Sequence, residues 1–88
     1  MDMEKNSIGE VVAADYIIIK ALEKGVTIIG LTRGEMTKIH HTEKLDKGEL
    51  LVAQFTEHTS AIKIRGKAEV ITKYGRIMLG EGESEVKK

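Results

Sequence analysis

Gln54-Phe55-Thr56-Glu57-His58-Thr59-Ser60-Ala61-Ile62-Lys63-Ile64-Arg65-Gly66 is the stretch on which the reading of this chain turns. Its second half alternates isoleucine with small or cationic residues. Successive side chains on a strand point to opposite faces, so Lys63 and Arg65 share one face and Ile62 and Ile64 the other. The two cations then project about 6–7 Å apart. The first half, Thr56 to Ser60, is a hydroxyl-rich loop that ends where the strand begins. The isoleucine face needs a core, and the flanking chain must supply it.

On the N-terminal side, Tyr16–Leu22 and Val26–Thr32 are rich in β-branched residues and read as strands joined in a hairpin over Glu23-Lys24-Gly25. Arg33–Thr37 reads as a polar loop in which Gly34 suits a positive φ. Lys38–Thr42 is a short strand, and Glu43–Gly48 a charged turn too short for a helix. Glu49–Phe55 is mostly apolar and reads as a strand buried on both faces. On the C-terminal side, Lys67–Thr72 and Arg76–Leu79 form a second hairpin over Lys73-Tyr74-Gly75. About seven short strands with no 3.6-residue period predict an all-β subunit, a small antiparallel sandwich or barrel. Residues 14–79 make the single β domain. Residues 1–13 read as a flexible leader, with Val11 and Val12 able to extend the first strand, and residues 80–88 as a flexible charged tail.

A chain of 88 residues buries only about 60–65% of its unfolded surface, which leaves little margin for folding alone. It has no cysteine for a disulfide and only Tyr16, Phe55 and Tyr74 as aromatics. Assembly with other copies is the reinforcement left. The absence of proline leaves strand edges open to pairing. Fourteen Lys and Arg balance fourteen Asp and Glu, so a nucleic-acid surface requires cations segregated on one face. There is no apolar run of membrane-spanning length and no basic-then-apolar leader, which places the protein in the cytoplasm.

His40, His41 and His58 do not make a metal site, because adjacent strand residues face opposite sides and no cysteine assists. A Ser60–His58–Asp46 hydrolase lacks a nucleophile elbow, and the glycines match no phosphate-binding loop. An enzyme is not expected. Gly30–Gly34 and Thr56–Ser60 offer hydroxyls and backbone groups able to hold a free amino acid, although from composition alone ordinary turn chemistry is the better explanation. Glu43, Lys44 and Asp46 mix a cation with carboxylates, which can accept hydrogen bonds from base amino groups.

Taken together, Ile29-Gly30-Leu31-Thr32-Arg33-Gly34, His40-His41, Glu43-Lys44-Leu45-Asp46-Lys47-Gly48-Glu49 and the run from Ala53 to Arg65 resemble the trp RNA-binding attenuation protein (TRAP) family, without gaps from about Tyr16 to Gly75. The resemblance implies a homo-oligomeric β-ring of roughly eleven subunits, sometimes one more, with sheets shared between neighbours. It implies L-tryptophan as the effector, bound between subunits, and no metal. The loop 56–60 would work against a neighbour's loop 30–37. It implies single-stranded RNA with spaced GAG or UAG triplets as the partner, wrapped to attenuate transcription, and to repress translation, of tryptophan genes. It leaves room for an inhibitory protein partner.

By matching position, Lys44, Lys63 and Arg65 would grip RNA and Glu43 and Asp46 would accept from bases. Gly30, Thr32, Arg33, Gly34, Thr37, Ala53, Gln54, Thr56, His58, Thr59 and Ser60 would line the tryptophan cleft. Ile39 stands where members commonly have a base-stacking Phe, and Met36 where they have an acid. Two readings from other classes compete: a structural or protein-binding β-ring without an RNA role, and a small amino-acid-binding domain.

Overall fold

Branched aliphatics at every second position produce two sheets that face each other across one core. The computed structural model describes residues 11–12 and 16–88, the first two as backbone only. Nine strands follow in order: β1 (Val11–Val12), β2 (Tyr16–Ala21), β3 (Val26–Thr32), β4 (Lys38–Leu45), β5 (Leu50–Gln54), β6 (Ala61–Arg65), β7 (Ala68–Thr72), β8 (Gly75–Leu79) and β9 (Glu83–Lys87). One sheet runs β1-β9-β6-β3-β4 and the other β5-β2-β7-β8. Ile17, Ile19, Val26, Ile28, Phe55, Ile62, Ile64 and Val70 fill the space between them. The all-β class and the sandwich agree with the sequence reading.

Four details differ from it. First, β2 and β3 are not a hairpin: β2 pairs with β5 and β7, whereas β3 pairs with β4 and β6. Both strands bury alternate aliphatics, and placing them in opposite sheets lets each cover the other's inner face. The crossing at Leu22–Gly25 is held by Leu22 N–H donating to Lys67 O at 2.9 Å and Gly25 N–H to Leu45 O at 2.9 Å. Second, β4 continues through Glu43 and Lys44 to Leu45, whose side chain is buried, so the turn begins only at Asp46. That turn closes with Glu49 N–H on Asp46 O, and Gly48 takes a φ of +88° that an L side chain resists. Gly34 does not adopt a positive φ. Third, β5 is covered on one face only: Leu51 and Ala53 pack half-buried against the core, while Leu50 and Val52 stay exposed because β5 lies at a sheet edge with its outer face uncovered.

Fourth, the expected flexible tail contains β9, which pairs antiparallel with β6 from Ala61↔Lys87 to Arg65↔Glu83. Val86 seals the core at 2% exposure, and Gly66 N–H on Gly82 O and Lys88 N–H on Ser60 O fasten both ends. Val11 and Val12 do not extend β2; they pair in parallel with Val86 and Lys87. The rest of the leader, 1–10 and 13, lies outside the described residues.

Candidate nucleic-acid interface and ligand cleft

Register across the first sheet decides which side chains share its outer face. Thr27 on β3 pairs with Lys44 on one side and Arg65 on the other, and Arg65 pairs with Glu83. The next row is Thr42, Ile29, Lys63 and Glu85. Lys44, Lys63 and Arg65 therefore lie on one face. Lys44 and Arg65 stand two strand spacings, about 10 Å, apart. The register shifts between Gly30 and Leu31, where β4 carries an extra residue, so Leu31 pairs with Ile39. The irregularity brings Ile39, 65% exposed, onto the same face as the cations. Beside them, on the same face, Ile29, Leu31 and Ala61 form a small buried apolar patch.

Glu43 does not join that face. It pairs with Ile28 and so points the other way, where its carboxylate meets His41 Nε2 at 2.8 Å. Asp46 sits just past β4 with an exposed side chain and its backbone N–H donating to Glu49 Oε1 at 2.6 Å.

The inner side of the β4 edge faces β5 across a cleft of about 220 Å³. Ile28, Leu51 and Ile62 give it an apolar floor, and His41, Glu43, Gln54 and Thr59 a polar rim. Such a mixture suits a small amphipathic ligand whose apolar body is enclosed and whose polar ends are fixed. Gly30 keeps the wall open: a Cβ there would meet Thr59 Cγ2 at 3.6 Å and His41 Cβ at 4.0 Å. Of the residues expected to bind ligand, Gly30, Ala53, Gln54 and Thr59 line this cleft.

The others form a hydrogen-bonded cluster where the loops after β3 and β5 meet. Thr32 Oγ1 bonds His40 Nε2 and the His58 carbonyl. Arg33 N–H donates to Ser60 Oγ at 2.9 Å, and Ser60 N–H to Leu31 O at 3.0 Å. Thr56 Oγ1 accepts from the backbone N–H of His58 and of Thr59. Thr37 Oγ1 accepts from Arg33 Nη1 at 3.0 Å, while Gly34 lies exposed between them. The two loops of one chain thus already bond each other. His41 and Glu43 on the cleft rim were not among the residues expected to line it, because Glu43 reads as part of a charged turn and a histidine pair carries no ligand signal of its own.

Electrostatics on the cation face are set by β9. Glu83 reaches Arg65 Nε at 2.8 Å and Lys63 Nζ at 3.3 Å, and these bonds hold its carboxyl below the usual range. Glu85 reaches Arg33 Nη2 at 2.5 Å, which lowers the carboxyl pKa and raises that of the guanidinium. Among the described residues there is no group of three metal-ligating side chains, and no helix long and apolar enough to cross a membrane.

Comparison with known proteins identifies the lineage. The family model described as tryptophan RNA-binding attenuator protein matches residues 12–80. A transcription attenuation protein MtrB of Geobacillus sp. (strain WCH70) is 67% identical over 75 residues, covering 85% of this chain and 95% of the relative. That of Bacillus pumilus is 58% identical over 76 residues, covering 86% and 93%, and that of Bacillus subtilis (strain 168) 63% over 65 residues, covering 74% and 87%. These proteins are named for attenuating transcription, not for catalysing a reaction. With a match of that length across β2 to β8, this chain belongs to the tryptophan RNA-binding attenuator protein family.

Proposed function

We propose that this protein binds single-stranded RNA bearing spaced GAG or UAG triplets when activated by L-tryptophan. It thereby attenuates transcription, and represses translation, of tryptophan-metabolism genes in the cytoplasm. It works as a homo-oligomeric ring of about eleven or twelve copies. The observation that carries the reading is the alternation along β4: Thr42 and Lys44 belong to the cation face, His41 and Glu43 to the cleft. A ligand that orders the β4 edge from the cleft side fixes Lys44 on the other side, offsetting in advance the ordering cost of RNA binding. Lys44, Lys63 and Arg65 contact phosphate, Asp46 accepts from bases, and Ile39 packs on a base. Tryptophan places its indole against Ile28, Leu51 and Ile62, with Gln54, Thr59 and the loops around Thr32, Thr37, Thr56, His58 and Ser60 holding its polar ends. Weak contacts at each subunit then add by avidity.

Filter binding of a (GAG-spacer) repeat RNA to the intact assembly, with and without tryptophan, tests this. Tryptophan-dependent retention is expected, and retention indifferent to tryptophan would overturn the reading. Lys63→Ala should weaken RNA binding and leave tryptophan affinity intact, whereas Ser60→Ala should reduce tryptophan affinity first. Equal loss of both affinities in Lys63→Ala would contradict two separate faces.

A further inference from the structure

The family match stops at residue 80, and β9 follows it. This strand lies alongside β6, so Glu83 and Glu85 fall in the same transverse rows as Arg65 and Lys63. Glu83 is shared by both cations, bonding Arg65 at 2.8 Å and Lys63 at 3.3 Å. Glu85 holds Arg33 at 2.5 and 3.1 Å, in the loop next to the ligand cluster. Lys44, at the far edge of the sheet, has no ion pair among the described residues. One segment therefore pairs with Lys63 and Arg65, leaves Lys44 aside, and brings one cation of its own, Lys87, onto the same face.

The geometry points to β9 as an intramolecular competitor: the Glu83 and Glu85 carboxylates occupy, on Lys63, Arg65 and Arg33, the places that phosphate oxygens of a bound polyanion would take. This rests on the RNA-binding reading above. A carboxylate presents two acceptor oxygens to a guanidinium much as a phosphate does. RNA must exchange each of these pairs before it gains the cation, so the strand lowers affinity and raises the threshold that a ligand-ordered assembly has to clear. The position is specific. Opposite charges directly across an antiparallel pair attract, and Ala61↔Lys87 to Arg65↔Glu83 sets them opposite one another. Simple solvation of a mobile acidic tail would need neither this register nor the anchors at Gly82, Val86 and Lys88.

The test is filter binding of the repeat RNA at saturating tryptophan, comparing the parent assembly with Glu83→Gln, Glu85→Gln and the double variant. Glutamine keeps the shape and the strand while removing the charge. Glu81→Gln controls for net charge, because Glu81 is exposed and has no ion pair among the described residues. The double variant should bind about tenfold or more tightly at low salt, since a small gain recurs in every subunit, and the advantage should shrink as salt screens the pairs. Glu81→Gln should change affinity far less. Unchanged or weakened binding in the double variant overturns the competitor role; weakened binding would assign Glu83 to base contacts instead. A Glu81→Gln gain equal to that of Glu83→Gln overturns it as well, as a bulk-charge effect. If parent and variants all fail to retain RNA, the RNA reading of this face falls and the competitor with it; retention by the double variant alone supports both.

Discussion

The outer faces of the two sheets enclose the same core and have opposite chemistry. On the first, the outward positions of β3, β4 and β6 include Lys44, Lys63 and Arg65, with Glu83 and Glu85 set across from two of them. On the second, Leu50 and Val52 of β5, Tyr16 and Ile18 of β2, Ile71 of β7 and Met78 of β8 face outward, with Lys20, Glu69 and Arg76 the charged residues among them. Val52, Ile18 and Ile71 lie in one row. Leu50, Val52 and Met78 are each more than 60% exposed. An exposed apolar row on a small domain marks a place for another protein. Zero net charge conceals this division, because it sums two surfaces with different tasks.

The largest expected effect comes from the layer that both faces share. Ile64 is fully buried between the sheets. Ile64→Ala should cost about 2–5 kcal/mol, as for other large-to-small core changes. In a domain this small it should lower RNA and tryptophan binding together, read by denaturant unfolding beside both assays. A stability loss that spared one activity would break the idea of one support under two faces. Val52→Lys comes next and separates them. It places a charge in the apolar row without touching the core, so the mass of the intact assembly should fall while far-UV circular dichroism keeps its β signature. An unchanged assembly mass would mean that the apolar row is not where copies meet.

How much of this division was legible in the sequence differs by element. The facing of β6 was readable because Ile62-Lys63-Ile64-Arg65 alternates cleanly and its isoleucines are in fact buried. The exposure of β5 was not. Leu50-Leu51-Val52-Ala53 is apolar throughout, and apolar residues covered by their own chain look the same in sequence as apolar residues left for a partner. The facing of Glu43 was not readable because Glu43–Gly48 reads as a charged turn, and only the continuation of β4 to Leu45 sets Glu43 and Lys44 on opposite faces. The strand β9 was missed because Glu83-Ser84-Glu85-Val86-Lys87 has a single apolar residue. It is held by a backbone ladder, by Val86 and by cations twenty residues earlier, and propensity does not see such long-range contacts. The cleft floor came from three strands, and only Gly30, Ala53, Gln54 and Thr59 on its wall were foreseen, through family resemblance and not through pattern.

The smallest effect concerns pH, and it isolates the charged half of the comparison. Bonds from Arg65 and Lys63 hold the Glu83 carboxyl below its ordinary 4.5, and the bond from Arg33, with weaker help from Lys87 and Lys63, does the same for Glu85. A carboxylate with a depressed folded pKa contributes in full above its unfolded value and loses that contribution as pH falls through the folded one. Attachment of β9 should therefore stay constant from pH 7 to about 5 and weaken below about 4.5, while the β3–β6 ladder keeps its protection. On the second sheet the outer pair Glu69–Arg76, at 2.6 Å, joins β7 to β8 and leaves β9 untouched. Amide protection factors in β9, corrected for intrinsic exchange, give the measurement. Loosening already between pH 7 and 5 would point to a group other than these two carboxylates. In Glu83→Gln/Glu85→Gln the step below pH 4.5 should disappear, leaving only the part of β9 that Val86 and the backbone ladder hold.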